Sequence, residues 1–155
     1  MSRFLITDRK FFDFILNVEL FRALRYSYLV TLLTVVLDPV AIGNGSELSS
    51  QLGEVVLSQV RSTDIVAQGE GNIFYVILPF AGLTEAKKVA ERLRVRTKEH
   101  AFVVGDTKVQ TTLSLGCARF PTDASDSREL LFKSAELLEK ALRQGGNQLC
   151  LPEAE

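Results

Sequence analysis

The sequence predicts an α+β domain with a mixed central sheet flanked by helices, and three observations carry that prediction. Helical and strand-like segments interleave along the 155 residues. Two pairs of strand-like runs are joined by short breaks containing glycine. Such breaks read as β-hairpins and demand antiparallel neighbours. Residues 29–37 are continuously apolar and rich in β-branched side chains, the pattern of a strand covered on both faces. Together these give a plan related to the βαββαβ ferredoxin-like core. The length suits one domain, residues 1–155, able to bury a real core.

Residues 8–26 read as a helix. Phe11, Phe12, Ile15, Leu16, Leu20 and Ala23 recur at spacings of three and four, and Thr7 or Asp8 is available as N-cap. After the strand at 29–37, Asp38-Pro39 stops the ladder, because proline cannot donate to it. Gly43-Asn44-Gly45 forms a loop, and Ser46 caps a second helix with a stripe of Leu48, Leu52, Val55, Val56 and Val60. The first hairpin pairs 65–67 with 72–78 across Gln68-Gly69-Glu70-Gly71. A third helix spans 84–96, capped by Thr84, with Ala86, Val89, Ala90 and Leu93 inward and Lys87, Lys88, Arg92, Arg94 and Arg96 making a basic helix. The second hairpin pairs 101–104 with 109–119 across Gly105-Asp106. A last helix over 127–143 buries Leu130, Leu131, Leu137, Leu138, Ala141 and Leu142; Gly145 ends it, and 147–151 form a final strand.

Composition excludes several classes. The net charge of -1 argues against a general nucleic-acid surface, so no DNA partner is expected. The longest apolar run, 29–37, falls far short of the roughly 20 residues that span a bilayer, so no direct membrane insertion is expected. Residues 4–6 are too short for the apolar core of a signal peptide. Cys117 and Cys150 lie in apolar strand-like contexts and read as buried free thiols, which fits a cytoplasmic setting. His100 has no companion ligands and reads as surface or structural. Ser114 reads as packing, because no histidine accompanies it as a base.

The hairpin at 64–79, DIVAQGEGNIFYVILP, resembles the signature hairpin of the GGDEF family, the diguanylate cyclase domains. Glu19-x-x-Arg22-Ala23-x-Arg25 is similar to the family's first helix, Asp8-Arg9-Lys10-x-Phe12 to its preceding Asn-Arg-Arg-x-Phe, and Thr112-Leu113-Ser114-Leu115-Gly116 to its Thr-x-Ser-x-Gly strand. The resemblance covers nearly the whole chain and implies the nucleotidyl-cyclase-like fold. It also implies where catalytic groups belong, and there the sequence departs from the family. The five signature positions read Glu70-Gly71-Asn72-Ile73-Phe74, with Asn72 and Ile73 at the usual acids. The first-strand metal-binding aspartate corresponds to Val36; Asp38 matches the next aspartate, which is not the usual ligand. The substrate loop is shortened, with Asn44 its one survivor, and the acid opening the second helix corresponds to Ser46. The late phosphate-binding basic residues correspond to Leu142 and Gly146. A cyclase needs carboxylates for Mg²⁺, donors for phosphates and a base. The expectation is therefore no enzyme activity, no metal and no cofactor.

What the resemblance retains is the inhibitory product site. Arg61-x-x-Asp64 matches its RxxD, Arg92 its second arginine, and Arg22 the arginine that a neighbouring domain contributes in many members. Arginine binds phosphate or the guanine O6/N7 edge through paired donors and stacks on purines. A carboxylate such as Asp64 accepts from guanine N1–H and its amine. The expected site is thus Arg61, Asp64, Arg92 and Arg22, the expected ligand cyclic di-GMP, and the expected assembly a homodimer or ligand-bridged dimer acting on an unknown protein partner. Family resemblance further implies a bacterial signalling role, by analogy in exopolysaccharide regulation, with this chain as one domain of a larger protein. Competing readings are a nucleotide-independent interaction or dimerisation domain using the phenylalanine-rich first helix, and a GTP-binding domain that activates a linked phosphodiesterase.

Overall fold

The computed structural model describes residues 4–40 and 45–153, with the side chains of 45 and 46 excepted. In chain order the elements are β1 (Leu5–Ile6), α1 (Arg9–Tyr26), β2 (Val30–Leu37), α2 (Gly45–Gln59), β3 (Ile65–Gln68), β4 (Ile73–Pro79), α3 (Leu83–Glu99), β5 (Phe102–Val104), β6 (Thr107–Val109), β7 (Leu113–Phe120), α4 (Ser127–Arg143) and β8 (Leu149–Cys150). The main sheet has the order β1-β3-β4-β2-β7-β8. Its inner pairs are antiparallel, while β1 joins β3 and β8 joins β7 in parallel. The mixed α+β sheet predicted from sequence is therefore the observed one.

Strand β2 explains why its sequence does not alternate. Leu33, Val35 and Leu37 enter the core layer beneath α2 and α3, with Leu52, Val56, Phe74, Ala90 and Leu93. Val30 and Leu32 enter the opposite layer with Phe12, Leu16, Leu20 and Phe120, beneath α1 and α4. Both faces of the sheet are dry, so both sets of side chains are apolar. Thr34 is the exception on the second face; it bonds the Ser134 hydroxyl of α4 at 2.8 Å. The family-like Gly116 lies beside it, where α4 approaches the strand backbone directly.

Helix α1 begins as expected, with the Asp8 side chain accepting from the Lys10 amide. Its buried stripe is Phe12, Leu16, Leu20 and Ala23, joined by Glu19; Phe11 is half exposed and Ile15 only half buried. Other expectations are corrected. Thr84 does not cap α3: Gly82 is the N-cap, without a side-chain bond, and the helix runs on to Glu99 because Thr97 is buried against the core. Strand 109–119 divides at residues 110–112, where Thr111 and Thr112 turn to bond the backbone of Asp38, so β5 and β6 form a separate two-stranded sheet. The side chain of Gln51 holds that small sheet against α2 through both backbone groups of Val103. Leu142 is partly exposed rather than buried, and the final strand shortens to Leu149–Cys150. Gly45 opens α2 rather than ending a loop, which puts Ser46 inside the helix; Gly43 and Asn44 lie outside the described residues.

Both cysteines are free and buried, and burial foremost pushes the Cys117 thiol up to about 12. His100 closes α3 and meets Phe102 edge-on at 4.5 Å. No helix among the described residues is long and apolar enough to cross a membrane.

Candidate functional site

Two ends of the sheet bear on function. At one end β2 and β4 pair so that Val36 lies directly across from Ile73. The four-residue turn before it is closed by Gly69 N–H donating to Ile73 O at 2.8 Å, and Gly71 takes φ +64. Glu70 is exposed at the tip of this turn. Ser49 on α2 reaches over to Gly71 O at 3.0 Å and contacts the Asn72 side chain. The nearby carboxylate is Asp38, and three donors engage it. Ser114 Oγ approaches at 2.6 Å, the Asn147 amide at 2.9 Å, and Thr112 Oγ1 also bonds it. Gly146 packs so closely that a Cβ there would sit 2.8 Å from Asp38 Oδ1. Asp38 thus joins the end of β2, the start of β7 and the turn before β8. Among the described residues no three His, Cys, Asp or Glu side chains form a metal-sized group.

At the other end, Arg61 and Asp64 close the link between α2 and β3. Asp64 N–H donates to Arg61 O at 3.0 Å, and the Asp64 carboxylate accepts from the Arg61 amide at 2.8 Å and from its guanidinium at 3.2 and 3.4 Å. The Asp64 side chain is fully covered, whereas that of Arg61 remains 55% exposed. Arg61 Nη2 also lies 3.4 Å from Pro79 O. Arg92 on α3 donates from Nη2 to Gln59 O at 2.6 Å, at the carbonyl end of α2 where the helix dipole favours a cation. Arg61 and Arg92 therefore flank the same helix terminus. Their other donors stay available, since a guanidinium carries more N–H groups than these bonds use.

Arg22 is exposed on α1. Its charge acts on Tyr28, whose hydroxyl bonds the buried Glu19 and whose ring stacks on Phe80 at 3.8 Å. Phe80 directly follows Pro79, the acceptor for Arg61. The structure thus brings Arg61, Asp64 and Arg92 together, and leaves Arg22 outside that cluster, linked to it only by its charge acting on Tyr28. Sequence reasoning missed the Tyr28–Phe80 pair and the Asp38 clamp. A bulky residue just after Leu-Pro, where the chain turns, was the available signal for Phe80.

The family described as "Diguanylate cyclase, GGDEF domain" matches residues 43–148. The chain belongs to the GGDEF family. A relative from Bacillus subtilis, the uncharacterized protein YhcK, is 32% identical over 111 residues, which is 70% of this chain and 31% of YhcK. The chain spans less than a third of the length of the curated relatives it first matches. The GGDEF domain of PA1120 (TpbB or YfiN) from Pseudomonas aeruginosa superposes with a TM-score of 0.88 at 24% identity, covering 96% of this chain and 91% of that one. The GGDEF domain of DgcB from Caulobacter crescentus, in complex with c-di-GMP, gives 0.79 at 17% identity, covering 98% and 91%. Within this GGDEF domain, the register above places Ile73, at the end of the glycine-containing turn, against Val36.

Proposed function

We propose that this GGDEF domain is a receptor for cyclic di-GMP that does not synthesise it. The observation that carries the reading is the contrast between the two ends of the sheet. Val36 faces Ile73 where the resemblance calls for carboxylates, and Asp38 already accepts from three donors. Mg²⁺ requires oxygen ligands in near-octahedral array, and these side chains do not fit it. At the opposite end Arg61 and Arg92 keep their positions beside the α2 terminus, with donors suited to phosphate and to the guanine O6/N7 edge. Asp64, being covered, orients the Arg61 fork in this reading; ligand contact falls to Arg61 and Arg92, with Arg22 completing the surface. DgcB, a relative in fold, is a precedent for a cyclic di-GMP complex.

Calorimetric titration with cyclic di-GMP tests this. The domain is expected to bind with a Kd of ~1–10 μM, and Arg61→Ala to weaken binding roughly 100-fold through loss of two charge-assisted bonds. Because the Asp64 carboxylate is fully covered, Arg61→Ala leaves it with the Arg61 amide alone and is also expected to lower Tm, so binding is compared at a temperature where both proteins are folded. Absence of binding at millimolar ligand, or equal binding by Arg61→Ala, would sink the receptor reading.

One observation favours a second reading, a dimerisation domain independent of nucleotide. Phe14, Phe21 and Leu24 on α1 are 62%, 69% and 57% exposed, a large apolar surface on one helix. If a second copy covers it, light scattering of the unliganded domain will give a dimer mass. Phe14→Glu with Phe21→Glu is then expected to give monomer with little loss of stability, since both rings are already in water. A monomer at high protein concentration without these changes rules this reading out.

A further inference from the structure

We propose that Phe80, seated on Tyr28, is the platform on which a purine of the bound nucleotide stacks; this rests on the receptor reading above. Phe80 is unusual in two respects. It carries φ +58, a backbone conformation that crowds a β-carbon and that glycine or asparagine ordinarily takes. Its side chain is also 70% exposed. A ring placed there merely to seal the end of the sheet would be buried, and this one is not. One face lies on Tyr28, with ring centroids 3.8 Å apart and planes 20° from parallel, and the rest of the ring is open to solvent.

The support beneath the ring is firm. Tyr28 bonds through its hydroxyl to Glu19, which is 7% exposed and anchored in the buried stripe of α1. Desolvation first, and Glu19 second, raise the Tyr28 hydroxyl to about 12, so it stays neutral at any working pH. The sheet register fixes the partners: Val30 pairs with Pro79, so Tyr28 and Phe80 emerge together from adjacent strands β2 and β4.

Position then gives the pair its role. Pro79 O is 3.4 Å from Arg61 Nη2, which puts the Phe80 backbone next to the exposed arginine. The charge of Arg22 also acts on Tyr28. An open aromatic face beside an exposed cation suits an anionic nucleotide. The guanidinium groups take phosphate, and the ring takes the flat face of the base, which stacks on aromatic side chains in a sequence-tolerant way. The platform explains why a strained, bulky residue occupies a turn position beside the arginine site.

The chain contains no tryptophan, so Phe80→Trp introduces a single indole reporter at the platform. Adding cyclic di-GMP is expected to quench its emission saturably, with the midpoint found by calorimetry. Phe80→Gly relieves the positive φ and is expected to keep or raise Tm while weakening binding about 10- to 100-fold. Phe80→Leu, apolar but without a π face, is expected to weaken binding as well. Unchanged affinity in Phe80→Gly, or calorimetric binding without quenching, would overturn the platform and leave the receptor reading standing. No heat from the parent domain would overturn both, and the Arg61→Ala comparison separates these cases.

Discussion

Gly116→Ala is expected to give a protein that folds poorly or not at all. A Cβ at this position would lie 2.1 Å from Ser134 O and 2.4 Å from Leu138 N, both backbone atoms of α4. No rotamer change relieves such a contact, so helix or strand must move. Neither moves cheaply. β7 is paired on both sides, to β2 and to β8. On α4, the Ser134 hydroxyl bonds Thr34 Oγ1 at 2.8 Å and Gly116 O at 3.2 Å inside the core. Retreat of the helix would break those bonds and open a gap around Leu130, Leu138 and Ala141. Overpacking of this severity costs about 4 kcal/mol, a large part of the roughly 5–15 kcal/mol that holds a domain together. Urea denaturation and soluble yield measure it. Gly53→Ala is the control: there the new Cβ would meet Phe74 at 3.4 Å, ordinary contact with a side chain. A Tm for Gly116→Ala within a degree or two of the parent would mean that α4 sits farther from the strand than described.

That prediction also gives the Thr-x-Ser-x-Gly run a structural duty. Its glycine admits α4, and its Thr112 and Ser114 hydroxyls hold Asp38. Such local and periodic demands are legible in sequence. Helix α1 could be read because Asp8 caps it and its apolar residues recur at helical spacing, and β2 because both of its faces are dry. Demands set by distant partners are not. Val109 through Arg119 reads as one strand because nothing local reveals that Asp38, some seventy residues earlier, draws Thr111 and Thr112 out of line. Strand β1 is only two residues long and exists because β3 offers an edge to pair with. At the candidate site, spacing and resemblance located Arg61, Asp64 and Arg92. They could not show that the Asp64 carboxylate is covered, or that Tyr28 would lie beneath Phe80.

Asp38 separates structure from chemistry most directly. Asp38→Ala is expected to destabilise the domain by about 3 kcal/mol, because it removes the shared acceptor of the Thr112 and Ser114 hydroxyls and leaves the Asn147 amide only its 3.1 Å bond to Ser114 Oγ. Asp38→Asn is expected to cost less, since one amide oxygen still accepts and both hydroxyls can rotate to take a donor. Three donors already occupy most of the roughly four lone-pair sites of this carboxylate. In thermal melts of the parent domain, millimolar Mg²⁺ is therefore expected to leave Tm unchanged, because a ligand stabilises only a state that binds it. The outcome that overturns this is specific: a rise in Tm with Mg²⁺ that Asp38→Asn removes. It would place a cation at the end of β2 despite Val36 and Ile73, and the proposal that this domain does not synthesise cyclic di-GMP would have to be abandoned.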